Sequence, residues 1–400
     1  MRLEVKDPAG PDSVATGRCG TYETIAVRAA LDEVLAPLGG MKAFVRAGER
    51  IALKPNLLMA AAPEAGITTH PSIVRAVAEA VREAGAVPFV VESPGAGIPH
   101  TAIALRRVYR KTGLLALAEE TGLELSVATD VEPLHAADAV LVKRIEVLRA
   151  LAEADGIISL PKLKTHNYQV YTGAVKNLFG AIPGYAKTGY HAKLADPNLF
   201  ADMLLDVVAA LAPRLSLMDA VVGLEGEGPG TGGRPRQVGV LLASRDPVAL
   251  DRVACRIVGI DERSVPVLRA AERRGLARLD RPPAVVGVPV EELVVSGFLG
   301  VRDRWTGGRF ASSPAVKWLL GKTLVDATSP RPRPRQERCT GCATCERACP
   351  TGAIVVRQRL AVVDDGSCIR CYCCHELCPE NAVDLEPALL GRLVRAVGHR

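Results

Sequence analysis

Long apolar runs are missing from this chain of 400 residues. No stretch approaches the roughly 18 uninterrupted apolar residues that a membrane-spanning helix needs. The opening MRLEVKDPAGPDSV also lacks the apolar segment of a secretory signal peptide. The sequence therefore predicts a cytoplasmic protein without a membrane partner, and its composition, 48% hydrophobic and 24% charged, is typical of globular domains.

Cysteine is almost absent from the first 338 residues, where only Cys19 and Cys255 occur among the eleven cysteines of the chain. All the others lie between residues 339 and 378. A secreted disulfide-bonded protein would spread its cysteines more evenly. Clustered cysteines at short spacings, in a chain without a signal peptide, predict a metal site in a reducing compartment.

Strong charge imbalance and the common catalytic signatures are also lacking. A formal net charge of +6 is mild for this length and argues against a nucleic-acid binder. We find no Walker A sequence, no HExxH pair and no Ser-His-Asp arrangement. Gly228, Gly230 and Gly233 match GxGxxG, but a predicted strand follows them, whereas a dinucleotide site must open a helix. We interpret this glycine loop as a lid or tight turn.

Predicted strands alternate with predicted helices from about Arg50 onwards. The alternation predicts an α/β fold of mostly parallel sheets with flanking helices, in one unit or in two halves. One predicted helix begins near Pro71 and ends before Gly85, as expected for residues at those two positions. We predict strands at 50–54, 87–92, 123–129, 155–160, 214–222 and 237–244, and further helices at 101–120, 198–211 and 246–258.

Two cysteine motifs near the C-terminus share one spacing, C-x2-C-x2-C-x3-C-P: CTGCATCERACP at 339–350 and CIRCYCCHELCP at 368–379. In this pattern three thiolates of one motif and the last cysteine of the other bind one 4Fe-4S cluster. A zinc ribbon is the alternative, but zinc sites use separated CxxC pairs. Cys373 is interpreted as a non-ligand. We predict two 4Fe-4S clusters, one on Cys339, Cys342, Cys345 and Cys378 and the other on Cys368, Cys371, Cys374 and Cys349.

The C-terminal segment resembles a bacterial two-cluster ferredoxin domain, which is a small α+β unit. We therefore predict an α/β domain at 1–296, with a boundary near 130–150 if it has two lobes. A connector is predicted at 297–338, the ferredoxin-like domain at 339–388 and a tail at 389–400. The stretch PRPRPRQER at 330–338 is interpreted as a stiff extended linker, because alternating prolines disfavour helix and sheet.

Acidic residues are absent from 160–195, although this segment holds five lysines and two histidines. Ligands of open α/β sheets bind beyond the carboxyl ends of the strands, where several polar residues of this chain fall. A solvated face or a docking surface for an acidic protein is the alternative. We predict an anion-binding crevice that uses Lys54, Asn56, Lys162, Lys176 and Asn177, with Lys164, His166 and His191 as catalytic residues.

Four blocks of sequence resemble the domain-of-unknown-function 362 family over about residues 50–260: PKLKTH at 161–166, GAVKNLFGAIPG at 173–184, MDAVVGLEGEGPG at 218–230 and RDPVALD at 245–251. Members of this family often carry a C-terminal ferredoxin domain. The resemblance implies no activity. It does imply that the matching positions form one site: Lys162, Lys164, His166, Lys176 and Asn177.

These features favour an iron–sulfur reductase in which an electron donor protein, through two clusters, supplies electrons to a small anionic or carbonyl-bearing substrate. Lysines would stabilise developing negative charge, and His166 or His191 would donate a proton if its pKa is that of ordinary imidazole. Two alternatives remain. The chain is an electron-transfer or maturation partner that docks an acidic protein, or a non-redox enzyme or sensor whose clusters are structural.

Overall fold

The computed structural model describes residue 10 and residues 12–95, 98–184, 186–301 and 330–386. Most of the predicted connector at 297–338 and the whole predicted tail at 389–400 lie outside the described residues. The strands are β1 (Val14–Arg18), β2 (Arg50–Pro55), β3 (Val87–Val90), β4 (Glu124–Leu125), β5 (Val131–His135), β6 (Arg144–Leu148), β7 (Gly156–Leu160), β8 (Lys162–His166), β9 (Val170–Thr172), β10 (Leu215–Gly226), β11 (Gly233–Ser244), β12 (Val285–Gly287), β13 (Arg331–Pro334), β14 (Ile354–Arg357), β15 (Leu360–Val363) and β16 (Val383–Glu386).

Helices flank these strands, and several short 3₁₀ turns connect them. In the described ranges no helix is both long and apolar enough to cross a membrane. The helices are α1 (Thr24–Leu35), α2 (Pro71–Glu83), α3 (Ala102–Lys111), α4 (Leu114–Thr121), α5 (Arg149–Ala152), α6 (Ala174–Asn177), α7 (Ala186–Lys193), α8 (Pro197–Leu211), α9 (Pro247–Ile257), α10 (Pro266–Arg273), α11 (Thr344–Arg347) and α12 (Cys373–Glu376).

A single large sheet forms the centre of the α/β part, in the order β12-β1-β11-β10-β7-β2-β3-β4. The run from β10 to β4 is parallel, whereas β11 pairs antiparallel with both β1 and β10. The predicted α/β class with a mostly parallel sheet is thus confirmed. Strands from both sides of the predicted lobe boundary near 130–150 join this one sheet, and the β5–β6 hairpin lies at that boundary as a separate two-stranded sheet.

Helices cover both faces of the large sheet. Along β2, Ile51 and Leu53 pack with α1 to α4 on one face, while Ala52 packs with α6, α8, α9 and α10 on the other. This alternation follows from the two-residue period of a strand, and burial of both faces explains why the strands are continuously apolar. The helix predicted at 101–120 is interrupted at Gly113, whose φ of 78° ends one helix and begins the next.

The basic stretch after Pro161 is a strand, β8, which was not among the predicted strands. It continues the direction of β7 along the same long neighbour, β10, and Pro161 separates the two. All five residues of β8 are buried. Because side chains two positions apart share a face, Lys162, Lys164 and His166 lie on the same side of this strand.

The C-terminal part contains small antiparallel sheets, β13–β16 and β14–β15, as expected for a ferredoxin-type domain. The prediction that the prolines of 330–338 forbid a sheet is wrong, since β13 pairs with β16. A two-stranded antiparallel ladder uses the N–H of alternate residues only, so Pro332 and Pro334 are tolerated beside Arg331 and Arg333. Asp365 forms salt bridges of 2.9 and 2.6 Å with these two arginines and attaches the segment to the domain.

Candidate functional site

Two cavities in the C-terminal part are lined by cysteines of both motifs. The first has a volume of about 330 Å³ and the second about 350 Å³. The last cysteine of each motif lines the cavity of the other motif. Cys339, Cys342, Cys345 and Cys378 line the first cavity, and Cys349, Cys368, Cys371 and Cys374 line the second together with Cys373.

The surroundings of these thiols fit an iron–sulfur cluster. The backbone N–H of Ala353 donates to Cys349 Sγ at 3.2 Å, and that of Ala382 donates to Cys378 Sγ at 3.1 Å. Hydrogen bonds of this kind stabilise thiolate charge on bound clusters. Among the described residues no three His, Cys, Asp or Glu side chains converge on a point that could hold a single metal ion.

A crevice of about 620 Å³ lies where the carboxyl ends of the parallel strands meet the C-terminal part. Polar residues line it from the α/β side, and the apolar side chains of Leu57, Leu58 and Phe179 lie among them. The structure brings most of the predicted site residues together here: Asn56, Lys164, His166, Lys176, Asn177 and His191.

Two of the predicted ligand-binding lysines are committed to buried ion pairs instead. Lys54 Nζ donates to Glu92 Oε2 at 2.6 Å, beneath the crevice. Lys162 Nζ donates to Asp219 Oδ2 at 2.8 Å and to the hydroxyl of Tyr22 at 2.6 Å. Neither lysine lines the crevice. A buried charge that is paired in this way is held in place by its partner. These two lysines therefore support the residues around the crevice and do not contact a ligand in it.

Lys164 and Lys176 line the crevice and have no ion pair with any described residue. Lys164 is buried, and it donates to Asn56 Oδ1 at 2.7 Å and to the carbonyl of Ile67 at 2.9 Å. Burial and the neighbouring Lys176 hold the pKa of Lys164 well below its ordinary value. Burial lowers the pKa of Lys176 too, against the opposing effect of Glu376. An anion in the crevice would relieve this repulsion.

Lys187 is a third crevice lysine, which the sequence predictions did not select. It donates to the carbonyl and hydroxyl oxygens of Ser93, at 2.9 and 2.8 Å, and to the carbonyl of Pro94 at 2.9 Å. Burial lowers the pKa of Lys187 to about 7, although Glu92 raises it. The sequence feature that could have identified Lys187 as a crevice residue is its position in the acid-free segment 160–195. The loop that holds it, 92–95, follows β3.

Both predicted catalytic histidines are buried. His166 Nδ1 accepts hydrogen bonds from the backbone N–H groups of Tyr168 and Gln169, at 3.1 and 3.3 Å. Burial lowers the pKa of His166 well below 6.5, and burial lowers that of His191 to about 3. His191 stacks on Phe200 with 4.5 Å between ring centroids. The expectation of an ordinary imidazole pKa is therefore wrong for both, because burial and Lys176 disfavour the imidazolium.

The C-terminal part covers the crevice with α12 and the residue that follows it, Leu377. Cys373, Glu376 and Leu377 line the crevice, and the Glu376 carboxyl lies 3.3 Å from His166 Nδ1. Burial raises the pKa of Glu376 to about 7. Cys373 also lines the second cysteine cavity. Cys373 thus borders both the crevice and the cavity of Cys374 and its partners, which the sequence alone could not indicate.

The glycine loop at 226–233 contacts α12 and the residues that follow it. Thr231 Oγ1 donates to the carbonyl of Cys378 at 2.6 Å. A Cβ atom at Gly230 would lie 2.1 Å from the carbonyl oxygen of Glu376, so only glycine allows this approach. Gly95 is in similar contact with Leu377, where a Cβ would lie 2.6 Å from the side chain. The loop, interpreted from the sequence as a lid or tight turn, contains a turn in which the N–H of Gly233 donates to the carbonyl of Gly230 at 3.0 Å. It forms a contact between the α/β part and the C-terminal part.

The fold and the cysteine arrangement define an iron–sulfur protein in which a ferredoxin-type domain adjoins an α/β crevice. A sequence model described as "Domain of unknown function (DUF362)" matches residues 51–256, and one described as "4Fe-4S binding domain" matches residues 332–355. The chain belongs to the DUF362 family and carries a 4Fe-4S binding domain at its C-terminus.

Known relatives match either most of the chain or a short stretch of it. A thylakoid-associated protein of Synechocystis sp. is 39% identical over 265 residues, which is 66% of this chain and 80% of that protein. Two others match shorter stretches. A subunit of the ion-translocating oxidoreductase complex of Methanosarcina acetivorans is 45% identical over 47 residues, 12% of this chain and 18% of its own. Epoxyqueuosine reductase of Yersinia pestis is 31% identical over 101 residues, 24% of this chain and 23% of its own.

Proposed function

We propose that the protein is a reductase in which two 4Fe-4S clusters supply electrons to a small anionic or carbonyl-bearing substrate in the crevice. The clusters would be held by Cys339, Cys342, Cys345 and Cys378, and by Cys368, Cys371, Cys374 and Cys349. The observation that carries this proposal is the position of Cys373, which lines both the crevice and the second cysteine cavity.

The exposure of the cysteines suggests the direction in which electrons would flow. Cys342 is exposed, whereas Cys371 and Cys374 are buried. An external one-electron donor protein would therefore reach the first set of cysteines, and the substrate would lie beside the second. When bound, the clusters would supply electrons one at a time. The net reaction would add two electrons and two protons across a C=O or activated C=C bond of the substrate.

The crevice residues would bind the substrate and stabilise the charge that reduction creates. Lys176 has no hydrogen-bond or ion-pair partner among the described residues, so its ammonium is available to an anionic group. His166 accepts two backbone hydrogen bonds at Nδ1, which leaves its proton on Nε2. That Nε2–H would donate to a substrate oxygen as negative charge develops there.

Proton delivery falls to a lysine in this proposal, since a neutral imidazole is a very weak acid. Lys164 lines the crevice, and its lowered pKa makes its ammonium a better proton donor than an ordinary lysine. One proton would come from Lys164 and the second from solvent that reprotonates it. His191 would contribute hydrogen bonding and shape.

The alternative of a docking surface for an acidic protein is less favoured by the same residues. A docking surface must be exposed, but Lys162, Lys164 and Lys187 are buried and Lys176 is half-buried. The non-redox alternative predicts that activity survives loss of the clusters, so replacing Cys368 and Cys339 with Ala would leave turnover intact in a folded variant.

Anaerobic reoxidation of the clusters tests the proposed function. The protein is reduced chemically, fractionated metabolite pools are added, and cluster absorbance is followed. We expect at least one pool to reoxidise the clusters faster than buffer does, and we expect Lys176→Met to slow that reaction at least tenfold. Lys193→Met is the matched control, because Lys193 lies in the same segment but is exposed. Reoxidation at the buffer rate with every pool, or full activity in Lys176→Met, would contradict the proposal.

A further inference from the structure

Asn177 carries a buried acceptor with no partner. Its Nδ2 donates to the carbonyl of Lys54 at 3.1 Å and to Ser159 Oγ at 2.9 Å. Because a carbonyl can only accept, these bonds fix the orientation of the amide and direct Oδ1 elsewhere. Within the described part of the chain, Oδ1 has no hydrogen-bond partner although it is buried. Buried acceptors in folded proteins are nearly always satisfied, so this oxygen points to a ligand.

Donors without partners lie in the same crevice. Lys164 uses two of its three N–H groups, on Asn56 and Ile67, and Lys176 uses none on any described residue. His166 Nε2 is buried and likewise has no partner in the described ranges. These groups can serve anionic oxygens. Lys187 differs from them, because Ser93 and Pro94 occupy all three of its N–H groups.

The crevice therefore offers donors on Lys164, Lys176 and His166, and a neutral acceptor, Oδ1 of Asn177. Two carboxyl oxygens that line it, Oε1 of Glu92 and Oε1 of Glu376, are also buried without a hydrogen-bond partner among the described residues. A plain anion such as a simple carboxylate would satisfy the donors and leave Asn177 Oδ1 buried and unpaired. Leaving it unpaired costs binding free energy, and this cost discriminates against ligands without a donor.

We infer that the crevice selects organic anions that also carry an O–H or N–H group, whose hydrogen is donated to Asn177 Oδ1. This inference concerns the ligand of the site described under the proposed function and rests on it for the identity of that site. It makes no use of electron transfer. Binding is therefore measured on the oxidised, cluster-loaded protein, so that a failure here is distinguishable from a failure of reoxidation.

Benzoate and its 2-, 3- and 4-hydroxy derivatives are the probes. They share one ring and one carboxylate, and they place an O–H group at three distances from the anion. Calorimetry is expected to give at least one hydroxybenzoate a roughly three- to tenfold tighter Kd than benzoate. Equal affinities for all four would overturn the inference, as would the absence of saturable binding by any of them.

Two variants assign the acceptor. Asn177→Ala removes Oδ1 together with the bond to Ser159, whereas Ser159→Ala removes the same bond and keeps Oδ1. We expect Asn177→Ala to bind benzoate and the preferred hydroxybenzoate equally, and Ser159→Ala to retain the preference. Loss of the preference in both variants, or in neither, would overturn the assignment to Asn177. Thermal unfolding and cluster absorbance check that both variants fold and carry clusters.

Discussion

Gly180 lies against the buried ion pair of Lys54 and Glu92 beneath the crevice. A Cβ atom at this position would lie 2.0 Å from Glu92 Oε1 and 2.6 Å from Lys54 Nζ. Both side chains are buried on all sides and cannot move away without breaking the pair. We expect Gly180→Ala to lower the free energy of unfolding by about 1–3 kcal/mol, measured by chemical denaturation.

Gly189→Ala is the control for this substitution. Gly189 lies within α7, and a Cβ there would meet no atom within 4 Å. Alanine favours a helix over glycine by up to about 1 kcal/mol, so this variant should be as stable as the parent protein or slightly more so. Equal denaturation midpoints for the two variants would show that Gly180 is not required for close packing.

The pKa of Lys187 predicts how anion binding depends on pH. Burial lowers this pKa to about 7, with Lys54 and Lys176 adding to the effect and Glu92 opposing it. An anion in the crevice would raise the pKa again. Below pH 7 the free protein already carries the charge, so affinity should be flat. Above pH 7 binding should require proton uptake, and affinity for benzoate should fall by up to about tenfold per pH unit.

Calorimetry in buffers of different ionisation enthalpy measures this proton uptake directly. Lys187→Arg is the informative variant, since guanidinium keeps its charge over the whole range and should give a shallower fall. The fall that remains above pH 7 comes from Glu376, whose pKa burial raises to about 7 and whose ionised carboxylate repels an anion in the crevice. A wild-type affinity that does not change on either side of pH 7 would mean that Lys187 is not coupled to the ligand.

At the residue level the sequence predicted that lysines, histidines and asparagines line the crevice. It did not predict which of the lysines already have a carboxylate partner. The acid-free segment contains Lys164 and Lys176, which line the crevice without an ion pair to any described residue. Lys54 and Lys162 find their carboxylates 38 and 57 positions away in the chain. Such pairs form only when strands are brought together, so no local pattern could show that these two charges are already neutralised.

At the level of elements, strands buried on both faces were predictable because their apolar runs are distinctive. The structure confirms strands at five of the six predicted positions with shifted ends, and the sixth, at 123–129, shortens to β4. β8 was not predicted because a buried strand that faces a binding crevice carries polar residues at alternate positions, which locally look like a loop. β13 was missed because a single paired edge tolerates prolines.

The glycine loop at 226–233 carries the next prediction, which concerns the contact between the two parts of the molecule. Gly230→Ala would place a Cβ 2.1 Å from the carbonyl oxygen of Glu376. We expect hydrogen exchange to accelerate at 226–233 and at 373–378 while the large sheet keeps its protection. Gly20→Ala, with open space around the added atom, is the control. Unchanged exchange in both loop and α12 would contradict the role of this contact.

For the molecule as a whole, the core of the C-terminal part depends on its cysteines. Its hydrophobic clusters contain Cys345, Cys371, Cys374 and Cys378, with few larger apolar side chains such as Ile354. A unit of this size rarely buries enough apolar surface to fold alone, and bound metal supplies the difference. The α/β part has its own extensive cores on both faces of the sheet.

Removal of iron by a chelator under reducing conditions should therefore unfold the C-terminal part and leave the α/β part folded. Hydrogen exchange should become fast at 354–363 and stay slow along β2, β7 and β10. Loss of α12 would also uncover the crevice, so Lys164 should become reactive towards an amine-modifying reagent. Lys162 is the internal control, because Asp219 and Tyr22 of the α/β part bury it. Slow exchange at 354–363 together with an unlabelled Lys164 would show that the covering of the crevice does not depend on the clusters. Labelling of both lysines would contradict the expectation that the α/β part stays folded.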